Sequence, residues 1–181
     1  MISTRAGEAS YPSSPSSSSS SFYSRFRYDV FLSFRGLDTR KTFTGHLYTA
    51  LNQVGFHTFL DDEELEYGEN IEIELDKAIT ESKISLVVLS ENYASSRWCL
   101  NELVNILQRK NAGGYSVVPI FYHVKPTEIR HLSGNFGKAF QMLGGKLNKK
   151  KEDKQKLEEW RVALQEVANF RGMDLEKYAN E

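Results

Sequence analysis

Ile84-Ser85-Leu86-Val87-Val88-Leu89 is apolar at every position but one and is short. Such a run suits a strand covered on both faces, as in a parallel sheet flanked by helices. Upstream of it, Ile71, Leu75, Ala78 and Ile79 recur at helical spacing. Before them, residues 56–60 form a short strand that ends on Asp61-Asp62-Glu63-Glu64. Segment 42–54 sets Phe43, Leu47, Ala50, Leu51 and Val54 on one helical face, and Gly55 stands where a terminating glycine belongs. Tyr28-Asp29-Val30-Phe31-Leu32-Ser33-Phe34 is a further β-rich run, whose exit, Arg35-Gly36-Leu37-Asp38-Thr39-Arg40, is rich in breakers and reads as a loop. Downstream, a helix begins near Ser95 or Ser96, carries Leu100, Leu103, Val104 and Leu107, and ends at Gly113-Gly114. Val117-Val118-Pro119-Ile120-Phe121-Tyr122 is a fourth strand, in which Pro119 requires that no neighbour need a donor there. A short helix over 134–143, a solvated Lys-rich stretch over 146–156 and an apolar stripe of Leu157, Trp160, Leu164 and Val167 complete the pattern. Strands separated by helices of this length imply right-handed crossovers, hence a flavodoxin-like, three-layer α/β fold with a parallel sheet and helices on both faces. The periodicity shows no fifth strand.

The composition agrees with one ordinary globular domain. Of 181 residues, 40% are hydrophobic, 12% aromatic and 26% charged, which excludes collagen, coiled-coil and wholly disordered chains. With 23 basic and 24 acidic side chains the net charge is -1, so there is no general pull towards nucleic acid or anionic membrane. One cysteine, Cys99, rules out an intrachain disulfide, and the lack of an apolar run of about 18 residues argues against a membrane partner. Cytoplasm or nucleus is the expected compartment. Residues 1–25 read as a disordered Ser-rich leader interrupted by Pro12 and Pro15; its composition also resembles a transit peptide, but Arg5 is the only basic residue before Arg25. The folded domain is expected over 26–175, with 176–181 opening a linker.

In open sheets of this kind, ligands bind beyond the carboxyl ends of the strands, where strand order reverses. That rule gathers Phe34-Arg35-Gly36 with the loop to Arg40, the 61–68 loop and the 90–102 segment. On a wheel of 100° per residue, Glu102 lies about 150° from the direction set by Leu100, Leu103, Val104 and Leu107, and about 40° from Trp98. One reading makes Glu102 a solvated glutamate. The other notes that an indole away from the core, one turn before a carboxylate, forms the wall of a pocket. Such a carboxylate can stabilise a ribosyl oxocarbenium ion, and nicotinamide leaving NAD needs no proton. Arg35 or Arg40, with backbone donors near Gly36, would hold the phosphates; equally, the arginines pair with Asp38 or Asp29 at the surface. The scattered His46, His57, His123 and His131 suggest no metal site. Dinucleotide, P-loop and hydrolase-elbow motifs are missing, and Ser90 stands where a phosphoacceptor receiver would need aspartate. Cys99 reads as a half-buried apolar side chain.

Four stretches, Tyr28-Asp29-Val30-Phe31-Leu32-Ser33-Phe34-Arg35-Gly36, Asp38-Thr39-Arg40, Ser90-Glu91-Asn92-Tyr93-Ala94-Ser95-Ser96-Arg97-Trp98-Cys99-Leu100-Asn101-Glu102-Leu103 and Pro119-Ile120-Phe121-Tyr122-His123-Val124, resemble the plant Toll/interleukin-receptor (TIR) domain of intracellular nucleotide-binding, leucine-rich-repeat immune receptors. The resemblance implies a five-stranded parallel sheet, self-association with other TIR domains, and hydrolysis of NAD+, as substrate and not cofactor, that triggers immune cell death. It assigns catalysis to Glu102 and the substrate pocket to Phe34, Arg35, Gly36, Arg40, Ser96 and Trp98, with residues 65–70 as a gating loop. Cys99 falls where some members need a cysteine for a second, nucleic-acid-directed activity. Gly45 and His46 on the first helix, and Trp160 and Arg161 on the last, are implied as self-association residues, although the apolar stripe places Trp160 in the core. Three positions depart from the family pattern: Gly45 replaces serine, Tyr67 arginine and Lys125 aspartate. The resemblance also implies that a nucleotide-binding module and repeats follow in a longer receptor. The alternative function is a non-catalytic module that recruits partners through the same surfaces.

Overall fold

The computed structural model describes residues 26–60, 70–147 and 150–178. Five strands, β1 (Tyr28–Phe34), β2 (Thr58–Leu60), β3 (Ser82–Leu89), β4 (Ser116–Phe121) and β5 (Met173–Asp174), form one all-parallel sheet in the order β2-β1-β3-β4-β5. The helices are α1 (Gly36–Thr39), α2 (Phe43–Gln53), α3 (Asn70–Thr80), α4 (Arg97–Asn111), α5 (Pro126–His131), α6 (Gly134–Leu147), α7 (Lys151–Val167) and α8 (Leu175–Tyr178), with a 3₁₀ turn at Tyr93–Ser95. The leader 1–25, the expected gating residues 65–69 with Tyr67, and residues 179–181 of the expected linker lie outside the described residues.

Alternation along β1 explains the layers. Val30, Leu32 and Phe34 point to one face, where they meet Val88, Ile120 and the half-buried Phe43, Leu47 and Leu51 of α2. Phe31 points to the other, into a larger core with Val87, Leu89, Leu75, Ile79, Leu100, Leu103, Trp160 and Leu164. Helices therefore cover both faces, and the fold is flavodoxin-like α/β.

β5 is two residues long, paired only as Ile120↔Met173 and Phe121↔Asp174, and so leaves no periodic trace. Pro119 lies just before that pairing, where Gly172 passes so close that a Cβ on it would sit 2.4 Å from the Pro119 carbonyl oxygen. The Arg35-to-Arg40 exit, read as a loop, contains α1, and α5 went unread; helices of four and six residues are too short to display a stripe. α5 starts on Pro126, and Glu128 accepts the Lys125 backbone N–H at 2.9 Å, so its first turn is closed without an acceptor side chain at 125. α2 ends before Val54, which is 72% exposed, and Ala50 also faces outward. The Lys-rich stretch from Lys151 is exposed helix, the first turns of α7.

One self-association assignment changes. Trp160 is fully buried and its indole N–H donates to Asn101 Oδ1 at 3.0 Å, so it presents nothing to a partner in this conformation, whereas Arg161 is half exposed beside Glu158. The cause is the stripe itself, because position 160 points at α4. Gly45 has a steric reason for being glycine: a Cβ there would lie 2.4 Å from the Arg40 carbonyl oxygen, so a serine would push apart the junction of α1 and α2. His46 is exposed.

At the amino ends of the strands, Asp29 accepts from Lys83 Nζ at 2.6 Å and from the His57 backbone N–H at 2.9 Å, tying β1 to β3 and to the start of β2. The Lys83 hydrogen bond, then that of His57, holds the Asp29 carboxyl below its ordinary 3.8. A carboxyl lowered on folding stabilises above its unfolded pKa and loses that contribution as pH falls through its folded one. Asp29→Asn is therefore expected to lower Tm at neutral pH, with the difference shrinking below pH 3.8 and vanishing only below the lower pKa of the folded carboxyl; melting curves over pH 2–7 check this. Trp160→Ala is expected to cost about 3–5 kcal/mol in denaturant unfolding.

Candidate active site

The start of α4 is set by Ser96, whose Oγ accepts the Cys99 backbone N–H at 3.2 Å. Counting from that cap, positions 98, 101, 102 and 105 are spaced i, i+3, i+4 and i+7 and share one helix face. Trp98, Asn101, Glu102 and Asn105 line a cleft of about 260 Å³, closed by Leu75 and Ile79 of α3 and by Lys156 of α7. Glu102 is only 4% exposed, which excludes the solvated-glutamate reading. The helical wheel set Glu102 far from the core because it omitted Cys99 and Ile106; both are fully buried, and they extend the buried arc round to the carboxylate.

Below the cleft the carboxylate meets the sheet. Ser33, the penultimate residue of β1 and fully buried, donates its hydroxyl to Glu102 Oε2 at 2.9 Å. Ser33 Oγ also lies 3.0 Å from the Tyr93 hydroxyl, which donates to the Cys99 carbonyl at 3.0 Å. None of Ser33, Tyr93, Asn101 and Asn105 was singled out from sequence. The i, i+3, i+4, i+7 spacing of the helix residues was available as a signal; for Ser33 there was only a hydroxyl inside an apolar strand.

Of the other expected pocket residues, Phe34, Arg35, Gly36 and Arg40 lie at and just beyond the carboxyl end of β1, and Ser96 caps α4. Arg35 Nη1 pairs with Asp38 Oδ1 at 2.6 Å, and Asp38 Oδ2 accepts from Ser90 Oγ at 2.6 Å and from the Asn92 backbone N–H at 3.1 Å. Asp38 thus joins the exits of the two central strands and occupies Arg35, the surface-pairing alternative for that arginine. The Arg40 guanidinium lies 5.2 Å from the Phe34 ring centre, and the buried Gly36 backbone runs close beneath the Arg40 side chain. Among the described residues, Trp98 and Glu102 line the cleft while Phe34, Arg35, Gly36, Arg40 and Ser96 do not. Cys99 is fully buried, its Sγ 3.6 Å from the Phe34 carbonyl oxygen, and lies outside the cleft lining; it is more enclosed than the half-buried side chain expected. Among the described residues, no group of three or more His, Cys, Asp or Glu is placed to hold a metal ion, and no helix is long and apolar enough to cross a membrane.

The model of the TIR domain family matches residues 27–181. The chain belongs to the TIR family. This TIR domain is 54% identical over 154 residues to TMV resistance protein N of Nicotiana glutinosa, covering 85% of this chain and 13% of that protein. It is 49% identical over 170 residues to disease resistance protein RPV1 of Vitis rotundifolia, covering 94% of this chain and 12% of that protein. The TIR domain therefore spans about an eighth of the length of these curated relatives. Among solved structures, the TIR domains of the activated Roq1 resistosome, which recognises the pathogen effector XopQ, superpose with a TM-score of 0.75 at 50% identity, over 84% of this chain and 90% of that one.

The burial of Cys99 has a direct consequence for reactivity, since an enclosed thiol is shielded from reagents. In the native TIR domain Cys99 is expected to react with an aromatic disulfide reagent at least about 10²-fold more slowly than in denaturant. Absorbance of the released thiolate measures this.

Proposed function

We propose that this TIR domain hydrolyses NAD+ at the nicotinamide–ribose bond when copies assemble, and that this initiates plant immune cell-death signalling. The observation that carries the reading is the Glu102 carboxylate, buried and held at 2.9 Å by Ser33, sharing one cleft with the Trp98 indole.

In the reaction the C1′–N bond breaks and its electron pair neutralises the pyridinium nitrogen, so nicotinamide departs without a proton. Positive charge develops over C1′ and the ring oxygen of the ribose. Glu102 stabilises that charge in a setting where water is largely displaced and electrostatic attraction is strong. A water oxygen then bonds to C1′ and loses a proton to solvent, leaving ADP-ribose. Trp98 supplies a flat apolar wall for the departing ring. At about 260 Å³ the cleft takes one end of the dinucleotide, and the remainder must extend beyond it. Arg35 and Arg40, at the strand ends, are the cationic side chains assigned to the phosphates. Arg35 must exchange Asp38 for phosphate, or serve through that pair.

Assembly through other TIR domains belongs to the same reading and is supported by the likeness to the Roq1 TIR domains, with the exposed His46 and Arg161 as contact residues. A role in immune signalling is supported by the identity to plant disease resistance proteins, and the cytoplasm or nucleus is the compartment proposed with it.

Nicotinamide release, measured at high protein concentration with a crowding agent, tests the proposal, since a site completed by assembly needs concentration. Wild type is expected to turn over and Glu102→Ala to lose at least about 10²-fold in rate while still self-associating by light scattering. A wild type that assembles and releases no nicotinamide would instead be a recruiting module.

A further inference from the structure

We infer that Ser33 and Tyr93 are positioning residues that fix the Glu102 carboxylate, a role that rests on the catalytic reading of Glu102. The sequence of contacts is Glu102 Oε2 to Ser33 Oγ at 2.9 Å, Ser33 Oγ to Tyr93 hydroxyl at 3.0 Å, and Tyr93 hydroxyl to the Cys99 carbonyl at 3.0 Å. Ser33 and Tyr93 are both fully buried.

A glutamate has three side-chain torsions, so its carboxylate stays in place only where its surroundings hold it, and small misplacements are costly to catalysis. Ser33 is suited to that task. It sits in β1 opposite Val87 of β3, where the ladder immobilises its backbone, and it anchors a group borne by a helix to the sheet. Its hydroxyl has one proton, which the carboxylate takes in a charge-assisted bond. The Ser33 oxygen then faces Tyr93 as an acceptor, and Tyr93 shares its proton between that oxygen and the Cys99 carbonyl. Tyr93 thereby selects the rotation of the Ser33 hydroxyl that points at Glu102. Its own place is set by the 3₁₀ turn and by the first turn of α4, the helix that carries Glu102.

The cost of this arrangement points the same way. β1 is otherwise apolar from Val30 to Phe34, and alanine or valine at 33 would avoid burying a hydroxyl. A local rule broken next to a buried carboxylate marks a functional constraint.

Ser33→Ala, Tyr93→Phe and the double variant separate positioning from packing. The first readout needs no turnover: the ¹³C carboxyl resonance of Glu102, assigned by its loss in Glu102→Gln, is expected to move in Ser33→Ala and less in Tyr93→Phe. The second is nicotinamide release. Ser33→Ala is expected to lower kcat about tenfold with KM within about twofold of wild type, and Tyr93→Phe to lower it less. The double variant is expected to match Ser33→Ala, because Tyr93 acts through Ser33. An unmoved Glu102 resonance in Ser33→Ala, or effects of the two substitutions that multiply, would overturn the inference. If wild type released no nicotinamide, the proposed activity would fall while the resonance still decided the positioning role. Where Ser33→Ala does not fold, Ser33→Cys, similar in size with a weaker donor, is read in its place.

Discussion

The pairing of β1 with β3, running from Tyr28↔Ser82 to Phe34↔Val88, is the constraint on which the molecule depends. Both strands are central and covered by helices on either face, so their side chains have almost nowhere polar to go. Chemistry can surface only where the pair ends. There the chain leaves β1 through Arg35 and Asp38 and leaves β3 through Ser90, and the Asp38 carboxylate bonds across from one exit to the other. α4 follows directly, which is why Glu102 arrives over the end of β1 and not over its middle.

Much of this was legible in the residues, for reasons that differ by element. The run at 84–89 could be little else than a buried strand, and Leu100, Leu103, Val104 and Leu107 fix the orientation of α4 well enough to put Glu102 and Trp98 on one face. The burial of Glu102 was not legible, because the wheel treated Cys99 and Ile106 as bystanders although both are sealed in the core. β5 left no signal, since two residues have no period. Ser33 was unreadable as a site residue because its partners lie 60 and 69 positions away, and only the crossover topology brings them together. Trp160 had a stripe pointing inward and a family likeness pointing outward; its indole bond to Asn101 settles its place in the core.

The larger core contains a second serine–tyrosine pair that makes the first more informative. Ser85 of β3 meets the Tyr115 hydroxyl at 2.7 Å, both buried, much as Ser33 meets Tyr93. Burial raises the Tyr115 pKa, keeping that phenol neutral. No carboxylate is bonded to Ser85 among the described residues, so that pair is a plain closed hydroxyl contact. The same chemical device appears twice in one sheet, once as internal packing and once extended to an acid.

The sheet is also narrow at its margins. β2 has three residues and β5 two, and β5 covers only the last two positions of β4. Immediately before them stands Pro119, which has no backbone proton to offer. A stray extended segment approaching that side would find the ladder interrupted where it would need to begin. On that side the fold is thereby blunted against strand-upon-strand association, the kind that would end in fibres.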